Sequence, residues 1–102
     1  MIVVRFVFQA KPGKANEMVE RFKQGVERMQ HLGGPDAKVR VLTDLSGPFD
    51  TVVQEIELES LATWEELRGK FFSEPEFQER QEMQDIPIVS GRTEFYTLEA
   101  SF

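Results

Sequence analysis

The chain has no cysteine, which excludes disulfides and thiolate chemistry. Histidine occurs once, as His31, and tryptophan and tyrosine once each, as Trp64 and Tyr96. With one imidazole, the Asp and Glu side chains form no recognisable metal-ligand spacing, so no metal site is expected. Glycine forms no phosphate-binding loop: Gly33-Gly34-Pro35 reads as a helix stop. No apolar run approaches the roughly 20 residues of a membrane helix. Positive charge is in deficit, with 12 Lys and Arg against 18 Asp and Glu and a net charge of -6. Such a chain repels phosphate backbones and anionic lipid, so neither nucleic acid nor a membrane is an expected partner. The segment from Met1 to Phe8 lacks a basic leader and a small-residue cleavage site. It reads as a strand, which makes the cytoplasm the default expected location.

What the chain does have is a clear order of patterns. Its 102 residues suit a single domain, 1–102, because two independent cores would each be too small. Ile2, Val4, Phe6 and Phe8 alternate with Val3, Arg5, Val7 and Gln9, the period of a strand. Pro12-Gly13 ends it. Ala15, Met18, Val19, Phe22, Val26 and Met29 then recur at helical steps, with Glu17 placed to pair with Arg21 one turn on. Val39, Val41 and Leu45 alternate with Lys38, Arg40 and Asp44. Ser46-Gly47-Pro48 is a turn, and residues 51–58 form the next strand of an antiparallel hairpin.

Ser60 can cap a second helix; Thr63 with Glu66 is an alternative start. Leu61, Trp64, Leu67 and Phe71 make its apolar stripe. Ser73 and Glu76 repeat the capping spacing, which predicts a further short helix from Glu74 to about Gln84, ended by Pro87. Residues 88–99 read as the last strand.

Two strand–helix–strand units in tandem predict an α+β, ferredoxin-like βαββαβ fold, with a four-stranded antiparallel sheet and helices on one face. If Phe6 and Phe8 face the helices, the helix-free face carries Val3, Val7, Leu42 and Val53 beside Arg5, Arg40 and Glu55. That mixture is too apolar for a solvent face and too charged for a dry core. A homodimer through the helix-free sheet face would bury it, with opposite charges such as Arg5 and Glu55 paired within.

Pro12-Gly13-Lys14 and Ser60-Leu61-Ala62 precede or open the two helices. Ser73-Glu74-Pro75-Glu76-Phe77 and Ser90-Gly91-Arg92-Thr93-Glu94-Phe95-Tyr96 follow. With these segments and this strand order, the chain resembles the dimeric α+β barrel superfamily, in particular its antibiotic-biosynthesis-monooxygenase (ABM) and NIPSNAP-like branches. The resemblance implies two subunits whose sheets close a shared barrel, and a pocket in each subunit between sheet and helices. It also implies cofactor-independent monooxygenase-like chemistry on a small aromatic or apolar molecule, in which the carbanion of the substrate reacts with dioxygen. Heme-degrading relatives carry an asparagine on the first strand, a tryptophan on the second helix and a histidine beyond it. Those positions fall near Val7, Leu67 and Gln81, none of which matches, so no cofactor is expected.

The candidate catalytic residues are His31, Tyr96 and Asn16. His31, at the end of the first helix, equally suits interaction with the helix dipole. Asn16 suits a local polar contact, and Tyr96 a structural hydrogen bond. Trp64, Phe6, Phe22, Phe72 and Tyr96 could line a flat apolar pocket, although nine Phe make an equally good core. Arg5, Arg40 and Arg92 could receive a carboxylate or pair with Glu55, Glu57 or Glu94. These residues leave two functions open: a small oxygenase, or a non-catalytic homodimeric module that binds a small ligand or a protein.

Overall fold

A computed structural model describes residues 1–31, 37–72 and 87–102, with the side chains of residues 31, 71 and 72 outside the description. The elements are β1 (Ile2–Ala10), α1 (Ala15–His31), β2 (Lys38–Thr43), β3 (Thr51–Leu58), α2 (Leu61–Phe72) and β4 (Ile88–Thr97). The strands form one antiparallel sheet in the order β2-β3-β1-β4. This is the ferredoxin-like α+β architecture that the pattern order predicts. The expected helix from Glu74 to Gln84, the Ser73–Phe77 segment and the Gly33-Gly34-Pro35 stop lie outside the described residues.

Register decides which side chains share a face, because directly opposed residues of an antiparallel ladder point the same way. Val4 opposes Ile56 and Phe95, and Phe6 opposes Gln54 and Thr93. These rows face the helices. Val4, Ile56 and Leu58 form one buried cluster, against which Phe6, Met29 and Trp64 pack. Ala10, Met18 and Val52 form a second, flanked by Val19, Phe22 and Ile88. Met18 and Phe22 come from α1, as their helical spacing requires. Leu67 is buried on α2, a burial that stabilises the fold by about 2 kcal/mol.

Local chemistry sets the ends of the elements. Gly13 has φ 76°, in the left-handed region where glycine carries no steric cost. Its N–H donates to Asp50 Oδ2 at 3.3 Å, tying the entry of α1 to the β2–β3 loop. Along α1 the expected pair forms, with Arg21 Nη2 3.3 Å from Glu17 Oε1. Ser60 caps α2, its Oγ accepting the Thr63 N–H at 3.3 Å; this selects Ser60 over Thr63 as the start.

Three expectations need correction. Leu45 does not belong to β2, which stops at Thr43 and leaves Leu45 fully exposed. Asp44 Oδ1 accepts the Thr51 N–H at 3.0 Å and turns the chain out of the sheet there. Leu61 is exposed rather than part of the buried stripe of α2, because it stands at the first helical position, ahead of the turn that meets the sheet. The last strand ends at Thr97 and not at residue 99.

Candidate functional site

An aromatic layer lies between sheet and helices. β3 ends at Leu58 and α2 starts at Leu61, so the first turn of α2 returns over the sheet and carries Trp64 onto β1. The Trp64 ring sits 5.5 Å from Phe6 and 6.1 Å from Phe95, edge-on to the latter at 68°. Tilted and edge-on arrangements at these distances suit the ring quadrupoles. Phe8 meets Phe22 of α1 at 5.4 Å. Phe95 remains 49% exposed, a large ring half open on the helix side of an edge strand.

No titratable side chain of the four strands points to this helix side. Arg5, Lys38, Arg40, Glu55, Glu57, Arg92 and Glu94 all occupy register positions of the opposite, helix-free face. One row there reads Arg40, Glu55, Arg5, Glu94 across β2, β3, β1 and β4, alternating in sign. Arg40 Nη2 lies 2.6 Å from Glu55 Oε1 and Arg5 Nε 3.6 Å from Glu55 Oε2. Arg92 Nε donates to Glu94 Oε2 at 2.9 Å. The Arg92 hydrogen bond holds the Glu94 carboxyl below its ordinary 4.5. Partial desolvation opposes that shift, while the Tyr96 hydroxyl and the charges of Arg92 and Arg5 add to it. Beside this row Leu42, Val53, Val7 and Arg92 oppose one another. They belong to an open depression of about 620 Å³, which the β2–β3 loop borders through Ser46 and Pro48.

The candidate residues divide between these surroundings. Trp64, Phe6 and Phe22 are all on the helix side. Tyr96 is not: it opposes Val3 on the helix-free face, and Phe95 stands on the helix side in its place. The cause is a bulge in β4. Ala10 pairs with Ile88 but Gln9 with Ser90, so Val89 is the extra residue. Beyond it the alternation inverts, because a one-residue slip sends every side chain to the other face. Asn16 is exposed in the first turn of α1. The side chains of His31 and Phe72 lie outside the described residues.

Sequence reasoning missed Phe95 as the helix-side ring. The signal available was Gly91, since an isolated glycine within a strand marks a bulge or a close approach. Both occur here: a Cβ at Gly91 would sit 2.5 Å from Phe8 Cδ1.

No family model and no curated protein matches the sequence. Solved structures do match. An uncharacterised NIPSNAP-like domain protein from Burkholderia xenovorans superposes with a TM-score of 0.78 at 22% identity, over 99% of this chain and 86% of that one. A NIPSNAP family protein from Agrobacterium tumefaciens gives 0.77 at 20% identity, over 99% and 94%. The chain shares its fold with these proteins. The heme-degrader MhuD from Mycobacterium tuberculosis, with two hemes bound in its active site, superposes at 0.74 and 10% identity, over 100% and 99%.

The described residues at the positions compared with those of heme-degrading relatives are apolar. The positions of β1 that face the helices hold Ile2, Val4, Phe6, Phe8 and Ala10, none of them an amide. Val7 points to the helix-free face. Leu67 is buried in packing, and Gln81 lies outside the described residues. Among the described residues no group of His, Asp or Glu could hold a metal ion. No described helix is long and apolar enough to cross a membrane.

Proposed function

We propose that the protein is a homodimeric binder of a small flat apolar or aromatic molecule, held on the helix side of the sheet against Phe6, Trp64 and Phe95. The observation that carries this reading is the half-exposed Phe95 ring set edge-on to Trp64, on a sheet face without charge. Flat apolar molecules gain most where several rings converge and few polar groups need desolvation. Cofactor-independent oxygenation requires a base to remove a proton from the substrate. With every charged side chain of the strands on the other face, the geometry favours binding over catalysis.

The helix-free face supports the homodimer. Its row of alternating charges, reversed by a two-fold axis and laid on itself, sets each cation over an anion: Arg40 over Glu94, Glu55 over Arg5. Self-complementarity of this kind is what an isologous interface requires. Leu42 and Tyr96, both exposed on that face, would be covered in the same contact.

Trp64 is the only tryptophan, so its fluorescence reports the site directly. Titration with a naphthol is expected to give a saturable emission change and a raised melting temperature, since ligands of the native state stabilise it. Phe95→Ala should weaken that response several-fold. Unchanged emission and melting temperature across the titration would refute the binding reading. A monomer by light scattering at micromolar concentration would refute the dimer.

A further inference from the structure

The depression on the helix-free face differs in chemistry from the aromatic layer behind it. Arg5 and Arg92 both line it, while Glu55 and Glu94, their ion-pair partners, do not. Arg5 opposes Glu94, and Val7 opposes Arg92, so the two arginines are diagonal neighbours on adjacent strands. Diagonal neighbours are roughly 7 Å apart, within reach of long side chains. Glu94 pairs with Arg92 and stands opposite Arg5, and each guanidinium, with five N–H donors, can serve a second acceptor besides its carboxylate partner. In addition, Arg5 Nε is buried and has no hydrogen-bond partner; at 3.6 Å the Glu55 oxygen is too far for one. That Nε faces Glu55, which leaves the Nη1–Nη2 edge of the guanidinium for a ligand oxygen. Asp44, the carboxylate among the lining residues, is already engaged by the Thr51 N–H. The floor beside the arginines is apolar, made by Val7, Val53 and Leu42.

We infer that this depression is a second ligand site, taking a small organic carboxylate with a short apolar tail. The carboxylate sits between the Arg5 and Arg92 guanidinium groups, and the tail lies over Val7 and Val53. A guanidinium offers a planar fork of donors, so Arg5 can bind the ligand on one edge and keep Glu55 on the other. A second copy docked on the same face would roof the depression and strengthen the charge pairing by excluding water. The site stands on the opposite face of the sheet from Trp64, and so does not depend on the aromatic site.

The test is calorimetric titration with hexanoate at neutral pH and low salt, with hexanamide as its neutral analogue. Saturable binding of hexanoate is expected, with hexanamide at least about ten-fold weaker. Arg92→Gln should weaken hexanoate by a similar factor, and Trp64→Phe should leave it unchanged. In case the arginine variant does not fold, Arg Nε–H resonances of the unaltered protein provide a second readout: those of Arg5 and Arg92 should shift with hexanoate. Equal binding of acid and amide would overturn the proposal. So would loss of binding in Trp64→Phe, which would move the ligand to the helix side, or Nε–H shifts confined to other arginines.

Discussion

Glu55 serves two cations at once, its Oε1 lying 2.6 Å from Arg40 Nη2 and its Oε2 3.6 Å from Arg5 Nε. The three residues sit side by side on β2, β3 and β1, so the carboxylate separates two positive charges that would otherwise be near neighbours. Glu55→Gln is therefore expected to destabilise the fold by about 1 kcal/mol. That figure is the value of the charge-assisted Arg40–Glu55 hydrogen bond, with the longer Arg5 ion pair beside it, reduced for the exposure of both arginines. The denaturant midpoint should fall in the variant, and the gap between variant and parent should narrow in high salt.

Gly91 lies beneath the Phe8 ring, and a Cβ there would come within 2.5 Å of Cδ1. The ring cannot retreat freely, because Phe22 stands 5.4 Å from it on the other side. Gly91→Ala is expected to cost about 1–3 kcal/mol through overpacking. Combining it with Phe8→Leu should cost clearly less than the two changes summed. Strict additivity in this double-mutant cycle would show that the glycine serves some other purpose.

Glu94 gives the sheet a pH dependence. Its carboxyl is held below the ordinary 4.5, first by Arg92. A carboxyl with a depressed folded value binds fewer protons folded than unfolded at mildly acidic pH. Its contribution to stability is thus fully present above 4.5 and is lost as the pH falls below that value through the folded one. A carbon-detected NMR titration should place the Glu94 midpoint below the ordinary 4.5. In Glu94→Gln the stability deficit seen at neutral pH should shrink on acidification.

The Ser60 hydroxyl accepts the Thr63 N–H at 3.3 Å and so satisfies one of the open donors at the start of α2. Ser60→Ala should lower stability by about 1 kcal/mol, and Ser60→Asp should retain most of it. Urea unfolding of the three proteins tests this. A loss as large in the aspartate variant as in the alanine variant would argue against capping.

Much of this fold could be read from residues three or four apart, or two apart. The helical steps of Met18, Val19 and Phe22, the alternation of β1 and the Glu17–Arg21 pair all depend on local spacing. The structure places them accordingly. The candidate site was harder, because it depends on register between distant segments. Ile88 packs on the helix side with Ala10, and counting in twos from it would put Tyr96 on that side as well. The unpaired Val89 breaks the count, and nothing in the alternation of β4 itself reveals where the break falls. The exit of Leu45 from β2 is similar: Val39, Val41 and Leu45 share a parity, but the Asp44–Thr51 hydrogen bond ends the strand first.

The division of charge between the two faces makes the sheet act as a partition between two solvents. Ionic strength and acid address the side that carries Arg5, Glu55 and Glu94. Organic solutes and hydrostatic pressure address the side that carries Phe6, Trp64 and Phe95. Perturbations of the two kinds are expected to act almost independently, so each surface of this small protein can be tuned while the other is held constant.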